Sequence, residues 1–376
     1  MDINTVKKIL TFKSGVFSLT KNYDEKALAS LLAEASFLYS SVADLPVLPG
    51  MVAKINEDII KRSIFGTASI EGNPLDEKSV EIVYNENKPE KTTKRAEQEI
   101  RNLKSAYGIV SSIAANPDTN LSEERIREIH RAVTLGIDYK DNIPGQYRNT
   151  IVKVGDEEHG GVYTPPKILD DIKNLMTGFV AWINSQELIN LNPAIRASLA
   201  HYHIAAIHPF ANGNGRTCRL IEASMLFNAG IKHVPFMLSN YYYKNIDDYF
   251  NVFSKVENNE ASDVTPFLEF TLKGHIDALK EIKNFILWII RKLVLKDFYL
   301  YLLKEKTVSQ RQYDFLLLLL DRKKELDFKG LLEPPFDILF RDLNERTLRR
   351  DLENLVGLKL ITKTEDKYTL NLKVAG

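Results

Sequence analysis

The stretch His-Pro-Phe-Ala-Asn-Gly-Asn-Gly-Arg-Thr-Cys-Arg, from His208 to Arg219, constrains this chain more than any other. Pro209 stops the helix that leads in, because its ring blocks the preceding helical hydrogen bond. Gly213-Asn214-Gly215 forms a loop whose backbone N–H groups can point at one spot. A helix then starts near Gly215 and runs through Leu220, Glu222 and Leu226. Its free N–H groups and positive dipole end favour an anion. Arg216 and Arg219, at i and i+3, lie on one face of the first turn, and guanidinium forks suit phosphate oxygens. His208 can act as a general base near neutral pH. Taken singly, these pieces are an ordinary loop histidine, a turn and a solvated arginine face. In this order they are the equipment for moving a group off a di- or triphosphate onto a hydroxyl.

The surrounding chain reads as mostly helical. Leu28, Leu31, Leu32, Ala35 and Leu38 recur at helical spacing, as do Val52, Ile55, Ile59 and Ile60 in a helix expected over about 51–72. That helix ends at Gly72, suited to a left-handed C-terminal cap, with Pro74 beyond. Thr67 and Glu71, at i and i+4, share its face. The polar segment from Asp76 to Lys94 reads as a surface connection. Ala96–Ala114 is expected to be an amphipathic helix. Another, from Ser122 to Leu135, has Ser122 as N-cap, acids in its first turn, and His130 as a core or exposed histidine. Ile151-Val152-Lys153-Val154 has strand character and Val162-Tyr163-Thr164 can return beside it, giving a β-hairpin. Helices follow over Ile168–Asn184, Pro193–Ile207 and Asp247–Val256, with Tyr241-Tyr242-Tyr243 offering aromatic surface between elements. His201, His203 and His208 give no zinc spacing.

After a charged helical linker at 276–305 the texture changes. A helix with a five-leucine run, a helix from Asn344 to Leu355 and two short strands around Glu365 resemble a winged helix-turn-helix. Arg346, Arg349 and Arg350 fall on its exposed helix. Acids nearly balance bases there, so protein docking or support of a homodimer is favoured over nucleic-acid contact.

Composition narrows the setting. The 376 residues have formal net charge +0, which gives no global case for nucleic acid or membrane binding. The single cysteine, Cys218, excludes an intramolecular disulfide framework and reads as a small buried residue. No stretch is long and apolar enough to span a bilayer, and the expectation is a cytoplasmic protein.

His208–Arg219 resembles the Fic motif, HPF, two residues, GNGR, two residues, R, and the likeness extends from about Thr67 to about Leu272. It implies a mostly α-helical Fic core with a β-hairpin flap, plus the small C-terminal winged helix domain. The expected divisions are 1–115 (N-terminal helical region), 116–275 (core), 276–305 (linker) and 306–376. Fic proteins mostly transfer AMP from ATP to a protein Ser, Thr or Tyr hydroxyl. The resemblance makes His208 the base and Gly213, Asn214, Gly215, Arg216, Thr217, Cys218 and Arg219 the ATP- and phosphate-binding stretch. The target protein, the chain itself included, would be held at the flap residues Ile151, Val152, Lys153 and Val154. Tyr242, Tyr243, Asn245 and Tyr249 match positions near the adenosine. Thr67, Glu71 and Gly72 match an inhibitory motif placed before the core, in which the Glu pairs with the second Arg, here Arg219. Members that transfer AMP carry Asp or Glu where this chain has Asn212, and that carboxylate holds Mg²⁺. An Asn carbonyl offers an oxygen without the charge. The rival class is a nucleotide-sensing regulator with weak or no transferase activity and a nucleic-acid-binding C-terminal domain.

Overall fold

The computed structural model describes residues 6–47, 49–86, 94–113, 120–232, 234–257, 262–322, 325–341 and 343–374. The N-terminal region, expected to be helical, opens on an antiparallel hairpin, β1 (Val6–Leu10) and β2 (Val16–Thr20), with Val6 opposite Thr20. Its turn is fixed from within and from far away. Gly15 takes φ +79°, and the Asp171 carboxylate accepts from Phe12 N at 2.6 Å, Lys13 N at 3.1 Å and Ser14 Oγ at 2.7 Å.

Helix α1 (Glu25–Ala43) is capped by Asp24, which accepts from Lys26 and Ala27 N–H groups. Helix α2 (Pro49–Ile70) ends before Gly72, which takes φ +78°. The segment read as a surface connection contains a helix, α3 (Glu77–Asn85), because Asp76 caps it and Val80 and Val83 give it a face to bury. Residues 87–93 of that segment lie outside the described residues. Helices α4 (Arg95–Ile113) and α5 (Glu123–Thr134) follow, the latter with Ser122 as its cap.

The flap hairpin pairs β3 (Val154–Asp156) with β4 (Gly161–Tyr163), Gly155 lying opposite Val162. After it come α6 (Leu169–Ile183), the short α7 (Gln186–Ile189), α8 (Pro193–Ile207), α9 (Asn214–Asn228), α10 (Val234–Lys244), α11 (Ile246–Glu257) and α12 (Thr265–Lys304). Helices α8 and α9 are buried nearly all round, which is why neither shows a one-sided apolar stripe. The loop between them is the His208–Gly213 segment. Helix α2 is seated on α10 through Gly66, where a Cβ would stand 2.9 Å from Ser239 O.

The chain forms two compact units, one ending at Ile282 and a second from Lys283 onward together with Leu45–Val47. The second unit contains α13 (Gln310–Arg322), β5 (Leu326–Asp327), one 3₁₀ turn, α14 (Asp337–Phe340), α15 (Glu345–Gly357), β6 (Ile361–Thr364) and β7 (Lys367–Leu370). Its strands run in the order β5-β7-β6, all antiparallel, so the expected pair gains a third strand. Leu295, Tyr299, Phe315, Leu319, Phe340 and Leu352 centre its core. Among the described residues no helix is long and apolar enough to cross a membrane.

Candidate active site

His208 sits where α8 ends. Its φ of +50° is left-handed, and its N–H still bonds Ile204 O at 2.9 Å. A non-glycine residue holds that conformation only when its surroundings over-determine it. Here the determinant is Arg148, a buried residue that no sequence motif marks. Its Nε donates to His208 O at 2.8 Å, and its terminal nitrogens donate to Thr150 O and Pro166 O, both at 2.7 Å. The Arg148 N–H also donates to Pro209 O at 2.9 Å. One guanidinium thus ties the His208 loop to both flanks of the flap.

The His208 ring faces Ala205 O through Nδ1 at 3.3 Å. A carbonyl only accepts, so Nδ1 carries the hydrogen and Nε2 keeps the lone pair. Burial pushes the imidazole down to about 4, so it is neutral, and basic at Nε2, at neutral pH.

The rest of the loop is braced from behind. His130 stacks on Phe210 with centroids 3.6 Å apart, accepts from Gly145 N at Nδ1, and so donates from Nε2 to Asn212 O at 2.9 Å. It is a core histidine. Asn214 bonds Phe210 at both N and O through its side chain, closing the loop on itself. No side chain caps the first turn of α9, whose N-cap Gly213 takes φ +77°.

Several residues assigned to phosphate binding are therefore turned elsewhere. Thr217 directs both its N–H and its hydroxyl to Gly213 O. Cys218 is fully buried, and burial raises its thiol. Arg216 does not share the outlook of Arg219. It donates to Tyr139 Oη at 2.8 Å and to Asn212 Oδ1 at 2.9 Å, behind the loop. At the expected metal position, Asn212 is neutral and its oxygen already faces a guanidinium. That environment does not fit a divalent cation.

Arg219 faces the front. Its Nε donates to Thr67 Oγ1 at 2.7 Å, and Nη2 donates to Thr67 O at 3.2 Å and Glu71 Oε1 at 2.6 Å. The Glu71 carboxylate lies so close over Gly215 that a Cβ there would collide with it. Burial pushes Glu71 up, but the Arg219 and Arg216 charges outweigh it, and its carboxyl lies below the usual range. A carboxylate thus occupies the anion seat made by the α9 N-terminus and Arg219.

Glu71, His208, Gly215, Arg219 and Tyr249 line one cavity of about 330 Å³. Of the residues assigned to the adenosine side, only Tyr249 is among its lining. Tyr242 is buried, its hydroxyl 3.0 Å from both Glu222 oxygens, because α10 turns that residue inward. Tyr243 packs edge-on to Phe65, and Asn245 bonds Tyr241 O. Phe250 and Phe253, not foreseen, provide aromatic wall instead. The flap strand begins at Val154, so Ile151, Val152 and Lys153 precede it. The register is set by Gly155, which a Cβ would drive into Gly161 O, and not by the β-branched run.

Residues 120–226 match the Fic/DOC family. That segment, which holds His208 and Arg219, is similar to the Fic/DOC family. Similar curated proteins are each named protein adenylyltransferase Fic. That of Culex quinquefasciatus is 27% identical over 278 residues, covering 73% of this chain and 50% of the relative. That of Aedes aegypti is 30% identical over 195 residues, covering 52% and 35%. The chain therefore spans half or less of the length of these relatives. Among solved structures, a Fic family protein from Desulfovibrio desulfuricans G20 superposes with TM-score 0.57 at 22% identity, covering 92% of this chain and 96% of that one. A Fic domain containing signaling protein from Bacteroides thetaiotaomicron gives 0.56 at 20%, covering 68% and 96%. These two likenesses show the Fic fold.

Proposed function

We propose that the chain is a protein adenylyltransferase, transferring AMP from ATP to a Ser, Thr or Tyr hydroxyl of a protein, and that α2 holds it inhibited. The observation that carries this reading is the Arg219–Glu71 pair at 2.6 Å in the cavity that also holds His208. A γ-phosphate and the Glu71 carboxylate are both anions and compete for one guanidinium fork. When ATP takes the fork, its phosphates lie at the α9 N-terminus. His208 Nε2 takes the proton from the acceptor hydroxyl, the oxygen bonds the α-phosphorus, and pyrophosphate leaves. The names of the curated relatives support the activity. A Mg²⁺ ion would arrive with the nucleotide and offset phosphate charge. The single buried cysteine supports a cytoplasmic setting.

A second reading rests on Asn212. Its oxygen engages Arg216 and lacks the carboxylate of members that transfer AMP. This favours a nucleotide-sensing regulator. The order of helix, strand, 3₁₀ turn, two helices and two strands in the second unit supports a winged-helix reading, and α15 carries Arg346 and Arg350. Incubating wild type and Glu71→Gly with labelled ATP and Mg²⁺ separates the two. Covalent label on a protein, stronger with Glu71→Gly, supports transfer. Nucleotide binding with no label from either favours the regulator.

A further inference from the structure

The tip of the flap is fastened to α11. Ser254 Oγ donates to His159 O at 2.6 Å, and the His159 ring lies edge-on to Phe250 with centroids 5.3 Å apart. Gly160, at φ +97°, packs so closely on Ser254 that any Cβ would collide with it. The imidazole stands between two carboxylates. Nδ1 meets Asp156 Oδ1 and Oδ2 at 2.8 and 3.0 Å, and Nε2 faces Asp247 Oδ1 at 3.4 Å. Only a ring protonated on both nitrogens can donate in both directions. Asp156 belongs to the flap and Asp247 to α11, so the second proton joins the two elements.

We propose that His159 is a positioning residue that latches the flap to α11 as the imidazolium and releases it when that proton is lost. The consequence for catalysis rests on the transfer reading above. His159, Asp156 and Gly161 line the same cavity as His208, so the latch fixes part of the wall against which an acceptor segment must lie. His159 touches neither His208 nor Arg219. Its loss changes how the protein acceptor binds and leaves the chemical step intact.

The charged groups facing the ring are Asp156 and Glu158 on the flap and Asp247 on α11. Asp156 contributes most, burial opposes, Asp247 and Glu158 add, and the imidazole lies above its ordinary value of 6.5. The sign follows. A raised value in the latched state means the latch is complete below about 6.5 and is lost as pH rises through the raised value.

Hydrogen exchange of the full chain between pH 6 and 9, corrected for intrinsic rates, tests the latch without requiring activity. Flap amides 154–163 of the wild type should lose protection several-fold across that range. In His159→Gln they should be weakly protected at pH 6 already and show no such slope, and Asp247→Asn should move the wild-type transition to lower pH. A wild-type flap with constant protection, or a His159→Gln flap that follows the wild-type curve, overturns the latch. In the Glu71→Gly background, His159→Gln should raise the acceptor KM several-fold with kcat unchanged. A chain that transfers nothing would sink the transferase reading, while the exchange slopes would still decide the latch.

Discussion

Arg219 reaches Glu71 across 148 residues of chain and holds it at 2.6 Å, the guanidinium 2% exposed and the carboxylate 28%. The same arginine takes Thr67 Oγ1 at 2.7 Å, so one turn of α2 meets two of its donors. A charge-assisted hydrogen bond contributes about 1.5–3 kcal/mol, and removing one partner leaves a buried charge without its counterion. Glu71→Gly should therefore raise the labelling rate roughly tenfold to a hundredfold. It should also lower the melting temperature, and ATP should restore much of that loss by supplying a new anion to Arg219. Arg219→Ala breaks the same pair and deletes the clamp, so its labelling should stay low. Equal labelling rates for wild type and Glu71→Gly would reject inhibition by α2, and a fast Arg219→Ala would reject the clamp.

Protons should not release this brake near neutrality. The Glu71 carboxyl lies below its ordinary value in the folded chain. The stability it contributes is present above the unfolded value, about 4.5, and is lost only as pH falls through the depressed one. Wild-type labelling should stay low at every pH from 6 to 9. A rise within that window, in the absence of other changes, would contradict the assignment.

The base should behave in the same way. His208 is held down to about 4 by burial, so it is neutral far below the usual histidine range. Glu71 raises it slightly, so removing that carboxylate moves it lower still. Because kcat/KM reports the free enzyme, the Glu71→Gly variant should show no acid limb near 6.5. A limb centred there would mean that another group titrates. His208→Ala in the same background should lose about 10²- to 10⁴-fold in rate and keep its nucleotide affinity.

How far the sequence foretold this site depends on how local each contact is. His208 to Arg219 is one loop and one helical turn, so its proline, glycines and arginines carry their geometry with them. The Thr67–Glu71 spacing likewise announces one helix face. What it cannot announce is a partner chosen by packing. Nothing in the sequence marks Arg148, because its acceptors are backbone carbonyls up to 60 residues away, which have no side-chain signature. Tyr242 looked like surface in a run of three tyrosines, yet of the three it is the one that α10 turns inward, against Tyr249, Phe270 and Glu222. The flap register slipped for a related reason. The run Ile151 to Val154 has the stronger strand propensity, but the close approach of Gly155 to Gly161 O decides where the ladder forms.

Arg148 accordingly makes a structural prediction. Burial holds its guanidinium down to about 10, still charged at neutral pH, with three carbonyls around it. Arg148→Ala leaves those acceptors buried without donors, at about 1–3 kcal/mol for each one that water does not reach. Urea unfolding should show a loss of at least about 2 kcal/mol. Arg148→Lys, a point donor in place of a planar fork, should recover only part of it. Unchanged stability in Arg148→Ala would show that the flap and the His208 loop do not depend on this residue.

Asn212 offers the sharpest test of the expected metal position. Its backbone is fixed by His130 at Asn212 O and by Asn142 at Asn212 N, so a change of side chain should leave the loop in place. Its Oδ1 accepts from Arg216 at 2.9 Å without contributing charge. Asn212→Asp keeps the shape and adds a negative oxygen. Two effects then compete. The new carboxylate can strengthen the Arg216 contact, which would raise stability and leave the metal requirement alone. It can also serve a hard cation brought in with ATP, for which a charged oxygen is the preferred ligand. The second effect should be visible in the Glu71→Gly background, where the phosphate seat is free. The Mg²⁺ concentration for half-maximal labelling should fall about tenfold, the equivalent of about 1.4 kcal/mol of improved metal binding. Titrating Mg²⁺ against labelling rate, alongside a thermal melt without nucleotide, separates the two. A higher melting temperature with an unchanged Mg²⁺ midpoint would place Asn212 in the Arg216 scaffold alone, away from the metal.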